Sequence, residues 1–269
     1  TILDSNVRLY AKWQIIEPAP LIRDDNLLDN YYETVVGLND EDLVFELREI
    51  LIQTHQTPTS YGDARYILDD ADKTLYDDTL MLGIYYRATI NATWDNGITW
   101  AREHVWPNSK LGIERVENSD RNQGTDLHNL RAINPSINST RSNRYFVNTT
   151  QNIPIGHTVG LNGFYPGDED LGDVARILMY MVVRYDFLML TDDETLLTLG
   201  TYSMNSAYMG MLNVLLDWHL TDPVDEFEIS RNEVIYEKGT IVTTELIDNL
   251  IMKGLYGELI SSINLGGEK

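Results

Sequence analysis

From Asp4 to Trp13 apolar and polar positions alternate, Val7, Leu9, Ala11 and Trp13 against Arg8, Tyr10 and Lys12, which is the period of a β-strand. Glu17-Pro-Ala-Pro20 then reads as a stiff, extended linker. Beyond it the period changes. Leu43, Leu47, Ile50 and Leu51 recur at helical spacing with acidic residues between them, so a helix is expected within 26–52, with Asn39 as its cap. Ser60-Tyr-Gly-Asp63 opens a second helix that runs through Ala64 to Ala71, and Leu80 to Arg87 reads as a buried strand. Residues 91–150 are rich in Asn, Ser, Thr, Trp and Arg and poor in long apolar runs, the composition of a loop-rich functional region carried on a scaffold. An apolar helix is expected over 172–190 and another near 202–219, followed by a polar-bounded stretch at 221–236. No repeat of 20–50 residues is evident.

Composition adds limits. With 269 residues, 43% of them hydrophobic, the chain can bury a sizeable core. It has no cysteine, which excludes a disulfide framework, a thiol nucleophile and a cysteine-ligated zinc site. The most apolar run, Val174 to Leu190, is interrupted by Arg176, Arg184 and Asp186, so no membrane span is expected. The chain begins at Thr1, and any export signal is expected to have been removed or to lie upstream. The formal charge of −22 argues, taken alone, against a polyanionic partner.

The candidate chemistry lies in two runs, Trp100-Ala-Arg-Glu-His-Val-Trp-Pro107 and Asp126-Leu-His-Asn-Leu-Arg-Ala-Ile-Asn-Pro-Ser-Ile-Asn-Ser-Thr-Arg-Ser-Asn143. The first is β-prone and closed by Pro107, which leaves Glu103 and His104 at a strand terminus. The second reads as a strand over 126–133 feeding a helix with Asn134 as N-cap and Pro135 at its first position. Asn138 follows one turn in, with Arg141 three residues further on the same face. A carboxylate, an imidazole, an amide oxygen and a guanidinium can thus meet at one point, a set suited to phosphodiester hydrolysis. Glu103 and Asn138 offer hard oxygen ligands to Mg²⁺, with Ca²⁺ or Mn²⁺ as alternatives. His104 can accept a proton near neutral pH. Arg121, Arg131 and Arg141 each qualify as the group that holds the phosphate, and Arg144 as a further substrate contact. In a regular strand Glu103 and His104 face opposite ways, so a shared site requires the strand end to depart from regular geometry.

These two runs resemble the endonuclease I family of ββα-metal (His-Me finger) nucleases, with its Arg-Glu-His-Val-Trp-Pro and Asp-Leu-His-Asn-Leu…Asn-Ser…Arg-Ser/Gly-Asn elements. Further landmarks extend the resemblance over about residues 27–237: Tyr31-Tyr32, the helix after Gly37, Ser60-Tyr61, Phe164-Tyr-Pro-Gly-Asp168, Gly172-Asp-Val-Ala-Arg176, Trp218-His219, Asp222-Pro-Val-Asp-Glu-Phe-Glu228 and Arg231-Asn232. The resemblance implies an α+β fold in which a ββα-metal finger is embedded in a mainly helical scaffold. It implies His104 as general base, Glu103 and Asn138 as ligands of a single metal ion, and cleavage of DNA or RNA to 5′-phosphate and 3′-hydroxyl ends with little sequence preference. Asn129 falls where the family has an asparagine that supports the site. The chain departs from the family pattern after Tyr236.

The segment Leu9-Tyr-Ala-Lys-Trp13 resembles the last strand of the β-grasp repeats found in tandem on Gram-positive surface proteins; the other reading is a native N-terminal strand. The expected organisation is therefore 1–22 as the end of a preceding repeat with its linker, 23–240 as the nuclease domain and 241–269 as a helical tail. A nucleic-acid substrate, an extracellular or cell-surface location, further domains upstream of Thr1 and a monomeric state complete the expectation. A surface-displayed module that binds nucleic acid without cleaving it is the competing one. His128 is expected to support or pack beside the site rather than act as base, and His55, His157 and His219 to be structural or exposed. Arg176 and Arg184 are expected either in a substrate wall or in buried ion pairs. Between Arg102 and Arg144 seven Lys+Arg stand against five Asp+Glu, a local balance of +2, so the rest of the chain carries −24. The expected site is the one region that is not strongly acidic.

Overall fold

The computed structural model describes residues 32–35, 37–55, 57–197 and 207–237. The strand expected at 4–13, its linker and the tail at 241–269 lie outside the described residues, as does the start of the helix expected near 202–219. Two compact units divide the chain, Thr1–Val36 and Gly37–Lys269. The described part of the first is a single 3₁₀ turn, Glu33–Val35.

The second unit is α+β. It opens with two helices, Asp40–Thr54 (α1) and Tyr61–Ala71 (α2). Asn39 stands at the cap position of α1 without a side-chain cap bond, whereas the Ser60 hydroxyl caps α2 by accepting from Asp63 N at 3.1 Å. A short hairpin, Leu80–Leu82 (β1) and Thr89–Asn91 (β2), precedes the central one. The strand expected over 80–87 therefore ends early. Ile84 to Arg87 bends away, with Tyr85 and Arg87 at φ of 80° and 47°, a region that bulky side chains adopt only when their surroundings hold them there. For Tyr85 the holder is Asp170, whose carboxylate accepts the Tyr85 N–H at 2.7 Å.

The central hairpin pairs Ala101–His104 (β3) antiparallel with Leu130–Ile133 (β4), setting Glu103 opposite Arg131 and His104 opposite Leu130. The expected second strand is thus shorter than 126–133. Helix Pro135–Arg141 (α3) follows β4 at once, with the Asn134 side chain accepting from Ser136 N at 2.9 Å and Pro135 at its start. A ββα unit results. Behind it stand Tyr145–Phe146 (β5), His157–Val159 (β6) and Gly163–Tyr165 (β7) in one small sheet, then the long helix Leu171–Arg184 (α4). Met189–Leu190 (β8), Glu194–Leu197 (α5), Tyr208–Met209 (β9), Leu212–Thr221 (α6) and Glu226–Glu237 (α7) complete the described chain. The apolar run at 172–190 is helical only to Arg184 before it turns into β8.

Trp100, Leu130 and Ala132 of the hairpin region are buried against Ala64 and Leu68 of α2 and Ile235 of α7. Truncating a fully buried Trp costs about 3–5 kcal/mol, so Trp100 alone anchors the hairpin to a large part of the domain's stability. Among the described residues no helix is long and apolar enough to cross a membrane.

Candidate active site

The end of β3 is held open rather than simply frayed. After His104 the chain no longer meets a strand partner through the backbone alone. Val105 N donates to Asn129 O at 3.0 Å, and the Asn129 amide then brackets Trp106, accepting its N–H at 2.6 Å and donating to its carbonyl at 3.1 Å. A buried side chain thus stands in for a strand residue. Arg141, fully buried at the end of α3, donates to the carbonyls of His104 and Val105 and to Glu103 Oε1 at 2.9 Å. Helix and strand end are tied together.

Across this end lies a cavity of about 500 Å³ bordered by Glu103, His104 and Asn138 together. Its position at the strand terminus resolves the opposite-face difficulty, because residues from both faces of β3 border it. Tyr85 O–H donates to Glu103 Oε1 at 2.7 Å, the oxygen that Arg141 also engages, so both side-chain hydrogen bonds to the carboxylate fall on one oxygen. Burial pushes the Glu103 carboxyl up, and Arg141 and then Tyr85 pull it back. The Asn138 side chain borders the cavity with no protein hydrogen bond among the described residues.

His104 stacks on Tyr61, ring centroids 5.4 Å apart, and its Nε2 lies 2.7 Å from Gly124 O. A carbonyl can only accept, so Nε2 carries the proton and Nδ1 keeps its lone pair. Burial, opposed by that carbonyl, lowers the imidazole pKa to about 4, and the ring is neutral at neutral pH. Two close approaches make this geometry possible. Gly124 sits where a Cβ would fall 2.4 Å from Val116 Cγ1, and a Cβ on Gly62, beside Tyr61, would fall 2.9 Å from Asn118 O. The opposite wall, Asn108–Lys110, is closed by Asn108 Oδ1 accepting from Val116 N at 3.1 Å and meets the end of α3 where Asn143 Nδ2 donates to Ser109 Oγ at 3.3 Å.

The arginines fall differently from expectation. Arg131 is a correction: it is buried, paired with Asp72 and Asp173 at 3.1 Å each, and does not border the cavity. Arg121 is also corrected, being exposed and turned away to Pro58 O and, at 3.7 Å, to Asp63. Arg144 donates to Leu161 O and Thr140 O behind α3. Arg141 borders the cavity, yet its bonds mark it as the residue that positions Glu103 and the strand end, not as a free phosphate clamp. The guanidinium free for that task is Arg115, exposed on the cavity wall with no hydrogen bond or ion pair among the described residues. Arg102 borders the cavity too, its charge shared with Tyr61 and Asn118. Spacing gave no signal for Arg115 or for Tyr85, whose roles depend on folded neighbours. Among the described residues Glu103 is the one carboxylate on the cavity wall, which also carries Arg102, Arg115 and Arg141.

The remaining candidates do not border the cavity. His128 is buried beside Tyr180, ring centroids 4.7 Å apart, with its pKa lowered to about 4 by burial. Arg176 is buried in an ion pair with Glu228 at 2.7 Å, and Arg184 lies over the Tyr185 ring.

A neutral imidazole beside a buried carboxylate and a guanidinium with no carboxylate partner is the equipment of a hydrolase for phosphate esters. The chain belongs to the endonuclease I family, whose sequence profile matches residues 45–240, and is accordingly a nuclease, a hydrolase acting on nucleic acid. It is 33% identical over 217 residues to an extracellular ribonuclease of Bacillus subtilis, covering 78% of this chain and 72% of the relative. It is also 33% identical over 215 residues to an extracellular ribonuclease of Bacillus amyloliquefaciens, covering 78% and 71%.

Proposed function

We propose that the chain is a divalent-metal-dependent endonuclease of low sequence preference that acts outside the cell, cleaving RNA, and DNA where it can enter, to 5′-phosphate and 3′-hydroxyl ends. The observation that carries this reading is the convergence on one cavity of His104 with Nδ1 unprotonated, Glu103 with both side-chain donors on Oε1, and Asn138 with no amide hydrogen bond among the described residues. The printed names of the two Bacillus relatives support RNA as a substrate and an extracellular setting.

The donor set fits a hard cation. Among the described residues no three His, Asp or Glu converge as a metal group, so one carboxylate oxygen and one amide oxygen are what the chain offers, leaving most positions to water as Mg²⁺ prefers. When bound there, Mg²⁺ would neutralise charge on the phosphate and polarise its oxygens. The chain's own residues do the rest. His104 Nδ1 accepts the proton of the attacking water, and Gly124 O holds the ring in the tautomer this requires. Arg141 and Tyr85 fix the Glu103 carboxylate, and Arg115 is placed to hold the substrate phosphate.

Incubation with plasmid DNA and with ribosomal RNA, with Mg²⁺ or with a chelator, tests the reading. Cleavage is expected with metal and not with chelator, and His104→Ala is expected to lose about 10²–10⁴-fold in rate. Full activity in His104→Ala or in chelator overturns it, and tight binding with zero turnover favours the silent binding module instead.

A further inference from the structure

A second feature begins at the cavity and runs outward. Tyr61, stacked on His104, lies under the Arg102 guanidinium, 3.6 Å from the ring centroid. Arg102 also lies 5.5 Å from the Trp94 ring centroid, and Arg65 lies 5.8 Å from that centroid and 4.8 Å from that of Tyr66. Tyr66 is 55% exposed. Aromatic and guanidinium groups therefore alternate without a break from the base His104 to open surface.

The charges in this run differ from those of the arginines that tie the fold together. Arg87, Arg131, Arg141, Arg176 and Arg231 each meet a carboxylate. Neither Arg65 nor Arg102 forms an ion pair among the described residues, although the chain carries 42 Asp+Glu. Arg65 Nε is buried with no hydrogen-bond partner, and the two guanidiniums share one ring, that of Trp94. Cations left unneutralised beside one another, and interleaved with rings, match a ligand that alternates anionic groups with flat π faces.

We propose that Tyr61, Arg102, Trp94, Arg65 and Tyr66 form a track for single-stranded nucleic acid, which leads the strand to the cavity through base stacking on the rings and phosphate contacts to the arginines. The proposal rests on the nuclease reading and names its substrate class. A duplex satisfies the track poorly, because its base faces are already stacked on one another.

The test uses the full chain carrying His104→Ala, titrated with a labelled single strand of about ten nucleotides and with the same sequence as a duplex. Arg65→Gln and Tyr66→Ala are each expected to raise the single-strand Kd about tenfold, Tyr66→Phe to restore it, and neither loss to appear with duplex. Tyr76→Ala, at an exposed aromatic with no ring or guanidinium contact to the track among the described residues, is expected to bind as the parent does. Unchanged single-strand affinity in both Arg65→Gln and Tyr66→Ala, or tighter binding of duplex than of single strand, overturns the track. The two readings fail separately: wild-type cleavage with indifferent track variants removes the track alone, whereas variant-sensitive binding without wild-type cleavage removes the nuclease mechanism alone.

Discussion

Two groups of arginines stand on either side of the central hairpin, and they are used in opposite ways. Behind it Arg87 spans Asp170, Asp173 and Asp225, Arg131 joins Asp72 to Asp173, and Arg231 meets Asp72 at 2.8 Å while donating to Leu127 O and Leu130 O. At the cavity Arg102 and Arg115 have no carboxylate partner among the described residues. Charges taken out of water need opposite charges and hydrogen bonds to be tolerated, so the rear network is paired with carboxylates and structural. Guanidiniums left at a wet cavity keep their charge for a ligand. An acidic chain can therefore act on a polyanion, because its negative charge is spent elsewhere and its site is not neutralised.

The paired side breaks most severely. Asp72, fully buried, accepts from Arg131 Nε, Arg231 Nε and Ala132 N. Asp72→Ala leaves two buried guanidiniums short of a partner and is expected to lose about 3–5 kcal/mol, read as the shift in urea unfolding midpoint. A loss no larger than that of an exposed Asp would show that the network does not carry the hairpin.

Lys110 is the exception that sharpens the contrast, a buried cation whose partner among the described residues is a carbonyl, Leu197 O at 2.8 Å. Burial, then Arg141, depresses its pKa to about 8. The folded value lies below the unfolded one, so between about pH 8 and 10.5 the unfolded chain holds more protons and rising pH favours folding. Relative to Lys110→Met, wild-type stability is expected to climb by about 3 kcal/mol across that window and to stay level below it, as followed by urea unfolding at several pH values. Parallel curves for the two proteins would mean that Lys110 is solvated after all.

What could be read from the chain alone follows from where each partner comes from. Asn134-Pro135 acts within its own few residues, so the cap and the helix carrying Asn138 were legible, as was the apolar stripe of α1. Helix α7 was not: its inner residues, Phe227, Glu228, Arg231, Asn232 and Ile235, recur at helical spacing but alternate between oil and charge, which leaves no apolar stripe. The bend at Tyr85 depends on Asp170, 85 residues away. The arginines were misplaced for the same reason. Arg131 lies within a few residues of the site in sequence, yet its acid partners stand 59 and 42 residues away, and nothing in local spacing tells a neutralised guanidinium from a free one.

The finest test asks which arginine near the hairpin meets the phosphate. Arg115 borders the cavity with its guanidinium unengaged, while Arg121 spends its donors on Pro58 O and sits 3.7 Å from Asp63 at an exposed site. Arg115→Ala is expected to raise KM for RNA about tenfold, the loss of one hydrogen bond to a charged group, with a smaller change in kcat. Arg121→Ala is expected to change KM by no more than about twofold, because an exposed pair contributes little. Added salt should narrow the gap between wild type and Arg115→Ala, since a protein that neutralises one phosphate fewer releases fewer counterions on binding and has the shallower salt dependence. Steady-state kinetics on one RNA at two ionic strengths reads both quantities. If Arg121→Ala has the larger effect, the guanidinium that meets the phosphate lies outside the cavity, and the contrast between spent and unspent arginines fails at the place where it matters for catalysis.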